Sequence, residues 1–344
     1  VQVALALLKV GRLADLFPSS VLHGMLAAIG VTIASRQVHV MLGVTPESRE
    51  AFELIAAIPP SLREADVPIA VIGALSLMAM VAAPRLPWAW MRRVPPPVWA
   101  LMLGVPFGLA IGLHTDHEIV VGDLHWPVGP AFLVHLPPSL ASAVVFPDFG
   151  VLASAAAWPH VLLFASIGTL ESLLSAAAVE GMDPWQRKTD MDADLLHVGV
   201  ANTAVALVGG LPMISEIVRS SANVNNGART RWANALHGAA MLGFVALAPF
   251  LIEEIPLAAL AAMLVVTGLR LASPAEFRHT WRLGWDQFAV FLLTCVVTLA
   301  TDLLVGVGVG IVGAVLLHVW GGAPVGALVR PGLERVDEPE GPVV

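Results

Sequence analysis

Long apolar runs separated by short polar breaks dominate this chain. They fall near residues 17–43, 66–84, 95–113, 158–180, 194–210, 213–226, 232–251, 255–271, 286–302 and 304–320. Crossing a hydrocarbon core takes about 20 apolar residues in helical form. A chain in lipid must satisfy its own backbone polar groups, so these runs predict membrane helices, with 213–226 a short one. The polar breaks alternate in charge. One side collects Lys9, Arg12, Arg85, Arg92, Arg93, Arg187, Lys188, Arg229, Arg231, Arg270, Arg278 and Arg282. The other holds only Arg49 and Arg63 among acidic residues such as Glu47, Glu64, Asp116, Asp123, Glu253 and Asp302. Basic loops stay in the cytoplasm, so the first side faces inward.

Four stretches lie outside this pattern. Residues 45–66 predict a surface helix on the outer side. Residues 114–157 form a long, Pro-rich outer loop. Ser273–Trp285 predicts an interfacial helix with Ser273 as N-cap and Pro274 at the first helical position. Residues 321–344 are polar and rich in Pro, which predicts a disordered tail.

Composition agrees with the pattern. Hydrophobic residues make up 57% of the 344, charged residues 13%, and mean hydropathy is +0.80. Soluble domains carry about 25% charged residues, so the class is a polytopic membrane protein. Tyr is absent, and most of the ten Trp sit at ends of apolar runs, as an interfacial belt does. The single cysteine, Cys295, permits no disulfide within the chain and reads as a small core hydrophobe. The net charge of −8 carries no nucleic-acid footprint. The opening residues Val1–Leu8 are too short to span and lack a cleavage pattern, so the chain is expected to be a fragment that starts inside a helix.

The chemistry concentrates between Leu163 and Trp232. Glu171 stands inside an apolar helix, where an ionisable residue is costly and points to function. Ser175 lies four residues on, on the same face. The pair could ligate Na⁺ or hold a proton; the plainer reading is a protonated, hydrogen-bonded carboxyl between helices. Gly209-Gly-Leu-Pro212 interrupts the next helix in mid-membrane. A helix restarting there offers free N–H groups and a partial positive charge to an anion. A simple re-entrant turn is the alternative. Glu216 and Arg219, three apart, either pair with each other or divide the work, Arg219 adding positive field and Glu216 responding to protonation. The outer-loop group His114, Asp116, His117, Glu118, Asp123 and His125 matches no standard metal spacing and reads as a solvated loop. No cofactor is called for beyond a coupling Na⁺.

Ala165-Ser-Ile-Gly-Thr-Leu-Glu-Ser-Leu-Leu-Ser175, Gly209-Gly-Leu-Pro212, Ile217-Val-Arg-Ser220 and Asn225-Asn-Gly-Ala-Arg-Thr230 together resemble the sulfate permease (SulP/SLC26) family. Gly11–Phe17, Val21–Gly24, Ile255–Leu260 and the stretch from Asp286 to Gly310 agree in order. The resemblance implies an all-α transporter of two inverted repeats of seven segments, with core and gate domains moving as an elevator. It implies that the chain begins in the fourth segment, so the first repeat is incomplete.

On that reading residues 1–113 end the first repeat as gate segments, and 114–157 form the outer loop. Residues 158–320 are the second repeat: core over 158–230, mixed over 255–271, then gate. Residues 321–344 are a tail without the family's STAS domain. Glu171 and Ser175 fall at coupling-ion positions. Ser215, Glu216, Ile217, Val218 and Arg219 fall at the anion-facing start of the tenth segment, where Glu216 departs from the small residues usual there. The implied function is secondary transport of bicarbonate or sulfate, coupled to Na⁺ or H⁺, by a homodimer in the bacterial inner membrane. The alternatives are a proton-coupled nucleobase symporter of the same fold and an anion-binding membrane sensor that moves nothing. No nucleophile-and-base arrangement suggests an enzyme.

Overall fold

In the computed structural model the described residues are 1–321 apart from 10, 12–17, 47, 89–90, 92–93, 138, 140, 217–218, 221–222 and 225–226. The helices follow the apolar runs. They are α1 (Gln2–Leu7), α2 (Ser19–Met41), α3 (Ala51–Arg63), α4 (Val67–Ala82), α5 (Pro96–Ala110), α6 (Ala157–Met182) and α7 (Met191–Ala206). After the broken segment come α8 (Trp232–Leu247), α9 (Pro249–Glu253), α10 (Leu257–Leu271), α11 (Pro274–Leu283), α12 (Trp285–Ala300) and α13 (Leu303–Trp320). Four helical stretches are long and apolar enough to cross a membrane: 19–41, 67–85, 157–177 and 257–283. Residues 96–110, 232–247, 285–300 and 305–320 form shorter apolar helices.

Apart from α8 and α9, which pack on each other, the described helices divide into two groups. In the larger, α2 lies against α10, α12 and α13, while α4 lies against α5 and α10. Apolar burial drives little association between helices already in lipid, so close approach through small residues has to do it. The α2–α10 crossing has this character. A Cβ on Gly30 would stand 2.5 Å from the Gly268 carbonyl oxygen, and a Cβ on Gly268 the same distance from that of Gly30. Ala27 and Ala28 on α2, and Ala259 and Ala262 on α10, are fully enclosed. The smaller group is α1, α6 and α7, with α1 packed on α7 and α6 on α7.

The interfacial helix forms as its sequence requires. Ser273 Oγ accepts from the Glu276 N–H at 3.4 Å, with Pro274 at the first helical position. Phe277 and Trp281 then meet Phe291 and Phe288 edge to face at 4.8 and 4.9 Å, joining α11 to α12. The outer surface helix α3 also forms. It is tied to α2 by His39, which is buried and bonded through Nδ1 to Ser61 Oγ (2.8 Å) and through Nε2 to the Leu54 carbonyl (2.9 Å).

Two expectations need correction. The fold is not purely helical: the outer loop contains an antiparallel hairpin, β1 (His117–Val121) and β2 (Leu124–Val128), turned by Gly122 and Asp123. The alternating apolar residues around a Gly-Asp pair are its signal. Its base is anchored, with Val128 and Leu133 buried against Ile69, Ile72 and Leu113. Val134 N–H donates to the Ile255 carbonyl at 3.0 Å. The run 232–251 is also interrupted, because Pro249 cannot continue the backbone bonding of α8, and α9 starts afresh there.

Candidate functional site

Helix α6 places Thr169, Ser172 and Ser175 inside the protein, each with at most 4% of its surface exposed. Glu171, on the same helix, is half-buried. Helix α7 runs alongside and ends at Ala206. The chain then turns through Leu207–Gly209, where Gly209 has φ +83° and its missing Cβ would stand 2.5 Å from the Val145 carbonyl oxygen. An L side chain there meets strain from its own backbone and collides with the outer loop. Val145 N–H also donates to the Val208 carbonyl at 3.3 Å, so the outer loop closes over the turn.

Past Pro212 the chain is non-helical through Glu216 and lies against both helices. The Asn202 side chain of α7 holds Met213 on both sides. Its Oδ1 accepts from the Met213 N–H at 2.7 Å, and its Nδ2 donates to the Met213 carbonyl at 2.9 Å. Nδ2 also donates to Gln2 Oε1 on α1, at 2.8 Å. From α6, Ser172 Oγ accepts from the Ser215 N–H at 3.3 Å. Helical bonding resumes with Ser220 N–H donating to the Glu216 carbonyl at 3.2 Å. A backbone break inside a membrane protein persists only where such partners replace the lost helix bonds.

The break therefore brings Glu216 to Glu171, close enough for the two carboxylates to feel each other's charge. Ser175 is enclosed one turn further along α6. Arg219 pairs with Glu216, Nε to Oε2 at 2.6 Å, so its charge is already engaged. Ile217 and Val218, two of the five residues expected to face an anion, lie outside the described residues, as does the tail beyond Gly321. Sequence reasoning passed over Ser172 and Asn202. Asn202 did carry a signal, as an amide side chain in the middle of an apolar helix.

A cavity of about 660 Å³ borders the same elements, lined by Gln2, His160, Phe164, Asn202, Met213 and residues of the outer loop around Asp148. Asp183 closes α6 at its C-terminal end. It accepts from Arg187 Nε (2.7 Å) and a terminal guanidinium nitrogen (3.0 Å), and from the Arg187 and Trp185 N–H groups (3.0 and 3.4 Å). The Arg187 side chain holds the Asp183 carboxyl down to about 2 from its ordinary 3.8, with the two backbone donors adding to the effect. Arg187 also donates to the Arg229 carbonyl at 2.9 Å, tying the α6–α7 connection to the chain leaving the broken segment.

The outer-loop titratable residues do not gather. His114 pairs with Glu254 at 2.9 Å and His125 with Glu118 at 3.3 Å. Among the described residues no three metal-ligating side chains converge.

The model of the sulfate permease family matches residues 1–294. The chain belongs to the sulfate permease family. Among curated members of that family, a Bacillus subtilis protein, YvdB, provisionally named a sulfate transporter, is 26% identical over 320 residues. The match spans 92% of this chain and 57% of that one. The bicarbonate transporter BicA of Synechocystis is 23% identical, over 92% of this chain and 53% of its own length. The chain thus spans little more than half the length of these relatives. A solved sulfate permease fold, the transmembrane domain of a cyanobacterium bicarbonate transporter BicA, superposes with a TM-score of 0.67. It does so at 17% identity, over 91% of this chain and 72% of that one. The family is one of integral, multi-pass membrane transporters, which accounts for the apolar helices.

Proposed function

We propose that the protein carries a small inorganic anion, sulfate or bicarbonate, across the cytoplasmic membrane by secondary active transport coupled to Na⁺ or H⁺. The observation that supports this most is the family match over residues 1–294, which includes both α6 and the break. Relatives named for sulfate and for bicarbonate favour an anion over a nucleobase. In this reading Glu171, with Ser175, binds the coupling ion. Ser215, Glu216, Ile217, Val218 and Arg219 meet the anion. The lipid bilayer and a second copy of the protein are its partners.

In this reading α6 and α7, with the broken segment, belong to the moving core, and α2, α4, α5, α12 and α13 to the gate; α1, expected among the gate segments, packs on α7 and is grouped here with the core. The two are built as inverted repeats of seven, and the core slides as an elevator. Sparse packing between the two groups suits relative motion. The Glu216–Arg219 pair sets the charge at the anion's doorstep: a protonated Glu216 leaves Arg219 free for the substrate, an ionised one competes with it. The test is uptake of labelled sulfate, bicarbonate and uracil by the complete protein in proteoliposomes, with and without Na⁺ and across pH. Coupled uptake of either inorganic anion supports the proposal. Uptake of uracil alone, or of nothing, contradicts it.

A further inference from the structure

We propose that Asn202 is a positioning residue for substrate binding: its side-chain amide fixes the broken segment beside α6. The proposal rests on the transport reading above for what is positioned. The geometry rests on nothing but the fold.

Met213 is the first residue after Pro212, and neither of its backbone polar groups bonds within a helix. One side chain satisfies both, at 2.7 and 2.9 Å, in the manner of a strand partner. The second amide hydrogen of Asn202 is taken by Gln2, so every donor it has is used. An Asn with all its donors engaged has one orientation and cannot swing without breaking bonds in a half-buried place. What it holds matters. Two residues beyond Met213 lies Ser215, whose N–H reaches Ser172 on α6, and then Glu216, within electrostatic range of Glu171. Close glycine approaches keep the neighbours in register: a Cβ on Gly168 would meet Gln2 Nε2 at 3.1 Å, and one on Gly199 the Val3 N–H nitrogen at 2.9 Å. Asn202 is thus the point where α1, α7 and the break are joined. Its loss would let the segment after the break wander relative to Glu171.

Replacing Asn202 by Asp gives a test that simple structural damage does not imitate. An ionised Asp still accepts from the Met213 N–H but sets a negative oxygen against the Met213 carbonyl. A protonated Asp carries one acceptor and one O–H donor, and so restores both bonds to Met213. The expected KM for sulfate or bicarbonate, as a ratio to the unmodified protein at the same pH, is raised by up to about tenfold when the Asp is ionised, the upper size of one lost hydrogen bond. It falls back towards one as pH drops through the carboxyl's titration. Asn202→Ala should show the raised KM at every pH, with uptake at saturating anion retained per folded molecule.

Hydrogen exchange supplies a readout independent of transport. The Met213 amide should be protected in the unmodified protein and exchange at least about tenfold faster in Asn202→Ala. An unprotected Met213 amide in the unmodified protein, or an N202D ratio that stays flat with pH, would overturn the proposal. If the unmodified protein takes up neither anion, the transport reading falls, and the exchange at Met213 alone decides whether the clamp exists.

Discussion

Glu171 and Glu216 come from different stretches of chain, and the break sets them within electrostatic range of each other. A carboxylate inside a membrane helix is retained at a cost of several kcal/mol. Glu171→Ala should therefore remove ion-coupled uptake while leaving the protein folded. Retained folding is read from unchanged detergent-extracted yield and elution, and lost coupling from uptake with and without an ion gradient. Glu216→Gln should remove the competition between Glu216 and the anion for Arg219, flattening the pH dependence of the apparent KM. A KM–pH profile identical to the unmodified protein would contradict that role.

Asp183 lies beyond the last residue of α6 and links stability to pH. Its carboxyl sits at about 2 in the folded protein against an ordinary 3.8. The stabilisation it gives is fully present above the ordinary value and drains away as pH falls towards the folded one. Thermal melts of the purified protein should show Asp183→Asn costing stability at pH 5. The difference from the unmodified protein should shrink between about pH 4 and pH 2.

At the scale of elements, the turn after α7 is the most demanding piece of backbone. Gly209→Ala forces a left-handed conformation on an L residue and drives its Cβ towards Val145. We expect a loss of about 1–3 kcal/mol in stability, read as a lowered melting temperature.

The positions of α2, α4, α5, α6, α7, α10, α12 and α13 were readable because lipid imposes one rule on every span: a sufficient apolar run folded as helix. The cap of α11 was readable because Ser273-Pro274 is local chemistry. The β1–β2 hairpin was missed because its alternation is brief and its stability comes from burial of Val128 and Leu133 against α4. That contact has no trace in local sequence. The site divided in the same way. Glu171 and Glu216 announced themselves by their cost in an apolar setting. Asn202 gave a weaker signal, an amide in an apolar helix, and Ser172 gave none, because the worth of both lies in backbone groups of a segment distant in sequence, which only the fold brings to them.

For the molecule as a whole, the charge asymmetry of the loops predicts orientation. Cys295 is buried, so a cysteine introduced at a loop should dominate labelling by a membrane-impermeant reagent. One at Asp123, in the hairpin turn, should label from outside. One at Lys188, beside the Asp183–Arg187 pair, should label only after the cytoplasmic side is opened. The reverse pattern would invert the topology.

Family membership, the broken segment and the half-buried Glu171 carboxylate beside it combine in a single claim, that Glu171 couples an ion gradient to movement of an inorganic anion. The most direct test is uptake of labelled sulfate and bicarbonate into proteoliposomes holding the complete protein or its Glu171→Ala variant, under imposed Na⁺ or H⁺ gradients. The account predicts gradient-driven accumulation of at least one anion by the unmodified protein and none by the variant. Accumulation by the variant equal to that of the unmodified protein, with the same ion dependence, would contradict it.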